Sequence, residues 1–123
     1  LLKKALLFFL FFPFSSFLLV KGSVFGDSVT QPENSLSVSE GGSVKLDCSY
    51  STGHSNPDLY WYRQLPDGTL QFILYRDNSR RKDADFTKGR FLADQTDPQK
   101  SFPLTISNVE KGDALMYFCA LRL

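Results

Sequence analysis

Residues 59–64 read Leu-Tyr-Trp-Tyr-Arg-Gln, and residues 115–120 read Leu-Met-Tyr-Phe-Cys-Ala. Trp61 is the only tryptophan, and Cys119 is one of only two cysteines, the other being Cys48. In the first stretch a period of two sets Leu59, Trp61 and Arg63 on one face and Tyr60, Tyr62 and Gln64 on the other, which is the pattern of a strand. Around Cys48 the same period recurs. Val44, Leu46 and Cys48 alternate with Lys45, Asp47 and Ser49, an apolar face backed by a polar one. Tyr117 stands two residues before Cys119. Any one of these residues is a weak signal, whereas four at fixed offsets are a strong one.

Outward from these stretches, turn formers punctuate the chain about every ten residues, and no long helical period interrupts them. Ser39-Glu40-Gly41-Gly42 is a turn, residues 51–58 (STGHSNPD) form a polar loop, and Pro66-Asp67-Gly68 is a second turn, with Pro presetting φ and Gly accepting positive φ. Residues 70–75 (LQFILY) read as a strand and residues 76–82 (RDNSRRK) as a basic loop. Residues 89–94 and 102–107 read as a strand pair, with Leu104 and Ile106 facing the core. Pro103 removes a ladder donor, so it is expected at a strand start. Residues 108–113 form a corner, and residues 115–121 form the last strand. The fold class is all-β.

The chain has 123 residues, enough for one domain, and a net charge of +1 leaves no electrostatic footprint for nucleic acid. Much of its phenylalanine lies near the start, where residues 1–20 read LLKKALLFFLFFPFSSFLLV. Lys3 and Lys4 precede an apolar run from Ala5 to Val20, broken by Pro13, Ser15 and Ser16. This resembles a secretory signal peptide. The run is shorter than the roughly 20 residues that span a bilayer. Val24 and Gly26 lie at offsets −3 and −1 from a cut before Asp27, so residues 1–26 are expected to be a leader and residues 27–123 one domain. A cut nearer Gly22 is the alternative. With no Met at position 1, the N-terminus is expected to be incomplete. Secretion puts both cysteines in an oxidising compartment.

The frame of Cys48, Trp61, Tyr117 and Cys119 resembles that of an immunoglobulin sandwich. Further pieces carry the likeness: Trp61-Tyr62-Arg63-Gln64, Gly89-Arg90-Phe91, Leu104-Thr105-Ile106, and Asp113 through Tyr117-Phe118-Cys119-Ala120. Together they span about four-fifths of the chain and resemble a variable (V-set) domain of an antigen receptor. WYRQ is more similar to a T-cell receptor than to an antibody light chain, and the ending Cys-Ala-Leu-Arg resembles its alpha or delta chain. The resemblance implies a V-type β-sandwich with Greek-key topology and a disulfide joining Cys48 to Cys119 across the sheets. Closing a loop of about 70 residues is worth roughly 4 kcal/mol in the chain-entropy model. Trp61 and Leu104 would fill the core, Tyr117 would tie a corner, and Arg90 with Asp113 would close the bottom as an ion pair.

The likeness also implies partners. Tyr62, Gln64 and Phe118 would face a second variable domain, that of a T-cell receptor beta (or gamma) chain, with Gln64 bonding its counterpart. Aromatic residues on an outward sheet face fit such a surface. Three loops would contact peptide on a histocompatibility molecule (peptide-MHC). The first holds Ser51, Thr52, Gly53, His54, Ser55, Asn56, Pro57 and Asp58. The second holds Arg76, Asp77, Asn78, Ser79, Arg80 and Arg81, and the third begins at Ala120, Leu121 and Arg122. Invariant CD3 signalling chains would act through the full-length receptor at the plasma membrane. The alternative is an innate or adhesion V-set receptor with germline-fixed loops.

Two departures stand out. Leu115 takes a place where such domains commonly carry Ala, which alters only local packing. The chain also stops four residues past Cys119 with no joining segment. Strand G is therefore expected to be missing, strand F to be an unpaired edge, and the chain to be an unrearranged variable segment. Enzyme readings fail for want of parts. One histidine, two cysteines and no nucleophile elbow supply no nucleophile–base pair. No metal-ligand cluster or phosphate-binding glycine loop is present either, so no cofactor is expected. Asn34, Asn56, Asn78 and Asn108 all fail the Asn-x-Ser/Thr rule, so no N-glycan is expected.

Overall fold

The computed structural model describes residues 2–9, 20–24, 27–31, 35–53, 55–95 and 100–122. These contain twelve strands: β1 (Leu2–Phe9), β2 (Val20–Val24), β3 (Asp27–Gln31), β4 (Ser35–Leu36), β5 (Val44–Leu46), β6 (Ser49–Ser51), β7 (Asp58–Gln64), β8 (Leu70–Arg76), β9 (Arg81–Asp83), β10 (Phe91–Ala93), β11 (Leu104–Ile106) and β12 (Met116–Arg122). Two short 3-10 turns, Asp85–Thr87 and Lys111–Asp113, are the only helical segments among the described residues.

One sheet runs β4-β1-β12-β7-β8-β9, and two three-stranded sheets run β10-β11-β5 and β2-β3-β6. β5 and β6 are successive pieces of one stretch. The first pairs with β11 and the second with β3, so this stretch links the two smaller sheets. Cys48 lies between the pieces and forms the disulfide with Cys119 of β12, with Cα atoms 6.3 Å apart. An all-β sandwich pinned by that bridge is the expected architecture.

Alternation decides what faces inward. Leu46, Leu59, Trp61, Leu104, Ile106, Tyr117 and Cys119 are all buried, each at a position the period of two assigns to the core. Burying a side chain of that size stabilises by about 1.5–3 kcal/mol. Trp61 also carries a polar atom inward, and its Nε1–H donates to the Phe102 carbonyl at 3.0 Å. Pro103 precedes β11 without entering it, so no ladder bond is lost.

At β8 simple alternation breaks. Tyr62 pairs with Phe72 and Trp61 with Leu74, which leaves Ile73 as an extra residue. A bulge of this kind shifts the facing of everything beyond it. Ile73 and Leu74 are both buried, while Phe72 and Tyr75 remain half-exposed and meet the outward tyrosines of β7. The turn from β7 to β8 is closed by Leu65 and Thr69, whose backbone groups bond at 2.8 Å. Gly68 adopts φ 91° there, a conformation that a side chain would strain.

The expectation of an unpaired strand F is corrected. β1, within the apolar run read as a leader, lies antiparallel to β12, from Leu2 opposite Arg122 to Phe8 opposite Met116. Its other side pairs in parallel with β4. The edge that a strand following β12 would occupy is therefore covered by backbone from the start of the chain. A strand edge is a row of unmet N–H and C=O groups, and this one is met from within.

Candidate recognition and pairing surfaces

Three places carry the side chains of interest: a charged clamp at one end of β7, a loop cluster at its other end, and the outer face between them. At the first end, Asp113 lies with its side chain 3% exposed. Arg90 donates to it from Nη1 at 2.7 Å and Nη2 at 3.1 Å, and Arg63 from Nη1 at 3.1 Å. The Glu110 backbone N–H adds a fourth bond at 2.9 Å. Burial pushes the carboxyl pKa up, but the bonds from Arg90, Glu110 and Arg63 outweigh it and hold it below the ordinary value. Arg63 also stacks its guanidinium 4.3 Å from the Phe86 ring centre. The Tyr117 hydroxyl, its pKa raised by burial, donates to the Asp113 carbonyl at 2.7 Å. Sequence reasoning names Arg90, Asp113 and Tyr117. It sets Arg63 on the inward face without giving it a role.

Gln31 escapes sequence reasoning altogether. Its side chain is fully buried, donates to the Tyr117 carbonyl at 3.1 Å and accepts from the Cys119 N–H at 3.1 Å. One amide thus docks β3 onto β12. The signal was available, since Gln31 lies two residues from buried Val29 and so shares its inward face.

At the other end, Asp77 organises a tight loop. Its Oδ1 accepts from Ser79 N–H at 2.8 Å and Arg80 N–H at 2.6 Å, while its Oδ2 accepts from Arg80 Nε at 2.8 Å. The Tyr75 hydroxyl lies 2.6 Å from Asp77 Oδ2 and 2.8 Å from Asp58 Oδ1. The bond from Tyr75 and those from the loop N–H groups hold the Asp77 carboxyl well below the usual carboxylate range. Burial, and then the two carboxylates, push the Tyr75 hydroxyl up.

The loops are also tied to each other. The Asn78 N–H donates to Asn56 Oδ1 at 2.9 Å, and its side-chain amide donates to the Ser55 carbonyl at 2.7 Å. Gln95 Nε2 donates to Asn78 Oδ1 at 2.7 Å. Gly53, Ser55, Asn56, Asn78, Ser79 and Arg80 are exposed on this surface, and Ser51 is exposed at the end of β6. Thr52 and Asp58 are half-buried and Pro57 is buried. His54 lies outside the described residues.

The boundaries of the other two loops are corrected. Arg76 ends β8 and is 3% exposed, with Nε donating to the Ala93 carbonyl at 2.9 Å and Nη1 to Asp83 at 2.7 Å. It locks β8 against β9 and β10 and is withdrawn from the contact set. Asp77 is buried in the same way, as loop framework. Arg81 belongs to β9 and is exposed, 3.1 Å from Asp94. Ala120 and Leu121 are buried strand residues of β12, because strand pairing continues to Arg122, the first exposed position.

On the outer face, Tyr60 stacks on Tyr62 with centroids 5.9 Å apart and tilts against Tyr75 at 5.1 Å. Tyr62 meets Phe72 edge-on at 6.0 Å. Phe118 lies opposite Tyr62 in the register, and Gln64 opposite Met116. The Gln64 amide donates to the Gly68 carbonyl at 3.3 Å. Sequence reasoning assigns Tyr62, Gln64 and Phe118 to this surface and sets Tyr60 on the same face without a role. It misses Phe72 and Tyr75, which simple alternation would put on opposite faces and the bulge at Ile73 brings to one. No cluster of metal-ligating side chains occurs among the described residues.

A profile of the immunoglobulin V-set domain matches residues 31–122, and the chain belongs to that family. Within it, the chain is similar to human T cell receptor variable segments. It is 38% identical to "T cell receptor alpha variable 38-2/delta variable 8" from Homo sapiens over 77% of this chain and 80% of that one. It is 35% identical to human "T cell receptor alpha variable 14/delta variable 4" over 82% and 85%, and 43% identical to human "T cell receptor alpha variable 8-3" over 76% and 80%. The chain is a receptor domain of this alpha/delta variable kind and not an enzyme.

Proposed function

We propose that this chain is the antigen-recognition variable domain of a T-cell receptor alpha or delta chain. It pairs with a beta or gamma variable domain through the outer face of the six-stranded sheet and reads peptide-MHC with its loops. The observation that carries the pairing is the run of half-buried aromatic rings, Tyr60, Tyr62, Phe72 and Tyr75, on a face that a solitary antiparallel sheet would leave polar. Rings so placed gain most when a second apolar surface covers them. The loops suit recognition because Asn78 and Asp77 hold them in one arrangement before any ligand arrives, which lowers the entropy cost of binding.

On this reading residues 1–26 form a secretory leader removed before Asp27. The β12 edge is then met by a strand supplied after Leu123, and the complete receptor signals at the plasma membrane through invariant chains. No helix among the described residues is long and apolar enough to cross a membrane.

The test is co-secretion with a panel of beta and gamma variable domains, followed by sedimentation analysis. A heterodimer is expected with some members, lost when Tyr62→Arg puts an unpaired charge among the rings. If no panel member associates, the pairing is wrong. N-terminal sequencing of the secreted chain should begin at Asp27, and recovery of Leu1 would sink the leader.

A further inference from the structure

Where the aromatic face meets the loop cluster, the surface sinks into a cavity of about 460 Å³. Tyr60, Phe72 and Tyr75 form its apolar floor, and Asp58, Arg80, Lys82 and Arg122 form its rim. Three cations therefore face one carboxylate. Two of the cations are partly offset: Arg80 lies 2.8 Å from Asp77 and Arg122 lies 3.5 Å from Asp58. Lys82 is exposed and makes no ion pair with a described residue, so the rim keeps an excess of positive charge.

From this geometry we infer that the cavity is a socket for an acidic side chain at the tip of a loop on the partner variable domain. The inference rests on the pairing reading above and adds to it a charge preference. The floor is continuous with the Tyr62 surface, since Tyr60 stacks on Tyr62 and Phe72 packs against it. A protein covering that surface therefore reaches the cavity without changing course. A water molecule occupies about 30 Å³ in the liquid, so the space exceeds what one small ion fills and suits a side chain. The apolar floor takes the stem of an Asp or Glu, and the rim takes its carboxylate. Complementary charge at such a site selects among partners more than it adds raw affinity.

The experiment uses the secreted form of this chain, as co-secreted above, against a beta-type variable domain with which it associates, made in three forms bearing Asp, Asn or Lys at the tip of its third loop. The Asp form is expected to bind about tenfold more tightly than the Asn form, and the Lys form more weakly than either. Lys82→Glu should reverse that order. Lys82 and Arg122 are both exposed, so the substitution is compatible with folding, and an unchanged thermal melt confirms it. Equal binding of all three forms would overturn the socket while leaving the pairing intact. Failure of every beta or gamma domain to bind would remove both.

Discussion

Asp113 and Asp77 look alike in isolation and do different work. Each is a buried carboxylate that accepts backbone N–H groups and a guanidinium. Asp113 draws its guanidinium partners from afar, with Arg90 at 23 positions and Arg63 at 50. Asp77 draws its partners from its own loop, with Ser79 two positions away and Arg80 three. The first arrangement exists only once β7, the approach to β10 and the turn before β12 have come together, so it reports on the whole fold. The second can form in a short segment and holds a local shape. One end of the sandwich is thus clamped, and the other is pre-shaped for contact.

The sharpest way to break this comparison is Asp113→Ala. It leaves Arg90 and Arg63 facing each other, with side chains 17% and 12% exposed. Removing one partner of a buried ion pair costs about 3–5 kcal/mol, and the residual exposure of both arginines argues for about 3. On a domain of this size that lowers the melting temperature by roughly 10–20 °C. Urea denaturation should show the loss as a shifted midpoint with unchanged slope. A change within the noise would mean that Asp113 is an ordinary surface charge.

Acid titration attacks the same clamp more gently. The Asp113 carboxyl is held below its ordinary value in the folded chain. Its stabilising contribution is therefore complete above the unfolded value of about 3.9 and is lost as pH falls through the folded value. Stability should be flat near neutrality and decline below about pH 4. Asp113→Asn should flatten that decline. An identical acid profile in the variant would assign the loss to other carboxylates.

Asp77→Ala should cost less in the melt and more in the loop. Its guanidinium partner Arg80 can rehydrate, since that side chain is 72% exposed, and the Tyr75 hydroxyl keeps its bond to Asp58 at 2.8 Å. The expected loss is about 1–2 kcal/mol, with amide exchange rising at Ser79 and Arg80. If Asp77→Ala unfolds the domain as badly as Asp113→Ala, the division between clamp and loop former fails.

How far each aspartate was legible in the sequence depends on the same contrast. Asp113 stands in a motif near Tyr117 and Cys119, and the resemblance names its partner Arg90. Asp77 sits in a run of charges, where nothing in the pattern separates a buried framework residue from an exposed contact. Arg76 illustrates the difficulty, since an arginine beside Asp, Asn and Ser reads as loop. Only the pairing of β8 with β9, and the carbonyl of Ala93 within its reach, turn it inward. Period-two alternation placed Leu59, Trp61, Leu104 and Ile106 without help because no bulge intervenes. At Ile73 one extra residue reverses the facing of the rest of β8, and single-strand periodicity carries no sign of it. The pairing of β1 with β12 was equally hidden, because an apolar run rich in Leu and Phe suits a membrane-targeting leader and a strand alike.

The smallest effect is expected at Asn78, where the comparison is sharpest. Asn78→Ala removes the amide that donates to the Ser55 carbonyl and accepts from Gln95, while the Asn78 N–H can still reach Asn56. These bonds lie at the exposed surface, so water replaces the lost ones and global stability should fall by no more than about 1 kcal/mol. The consequence should appear in motion, with amide exchange around residues 52–56 and 77–80 quickening roughly fivefold while the strands stay protected. Binding to any ligand that spans both loops should weaken through a less favourable entropy, because the surface must then be ordered on contact. Unchanged exchange in both loops would mean that Asp77 and the strand ends alone hold them, and that the bridge between loops is incidental.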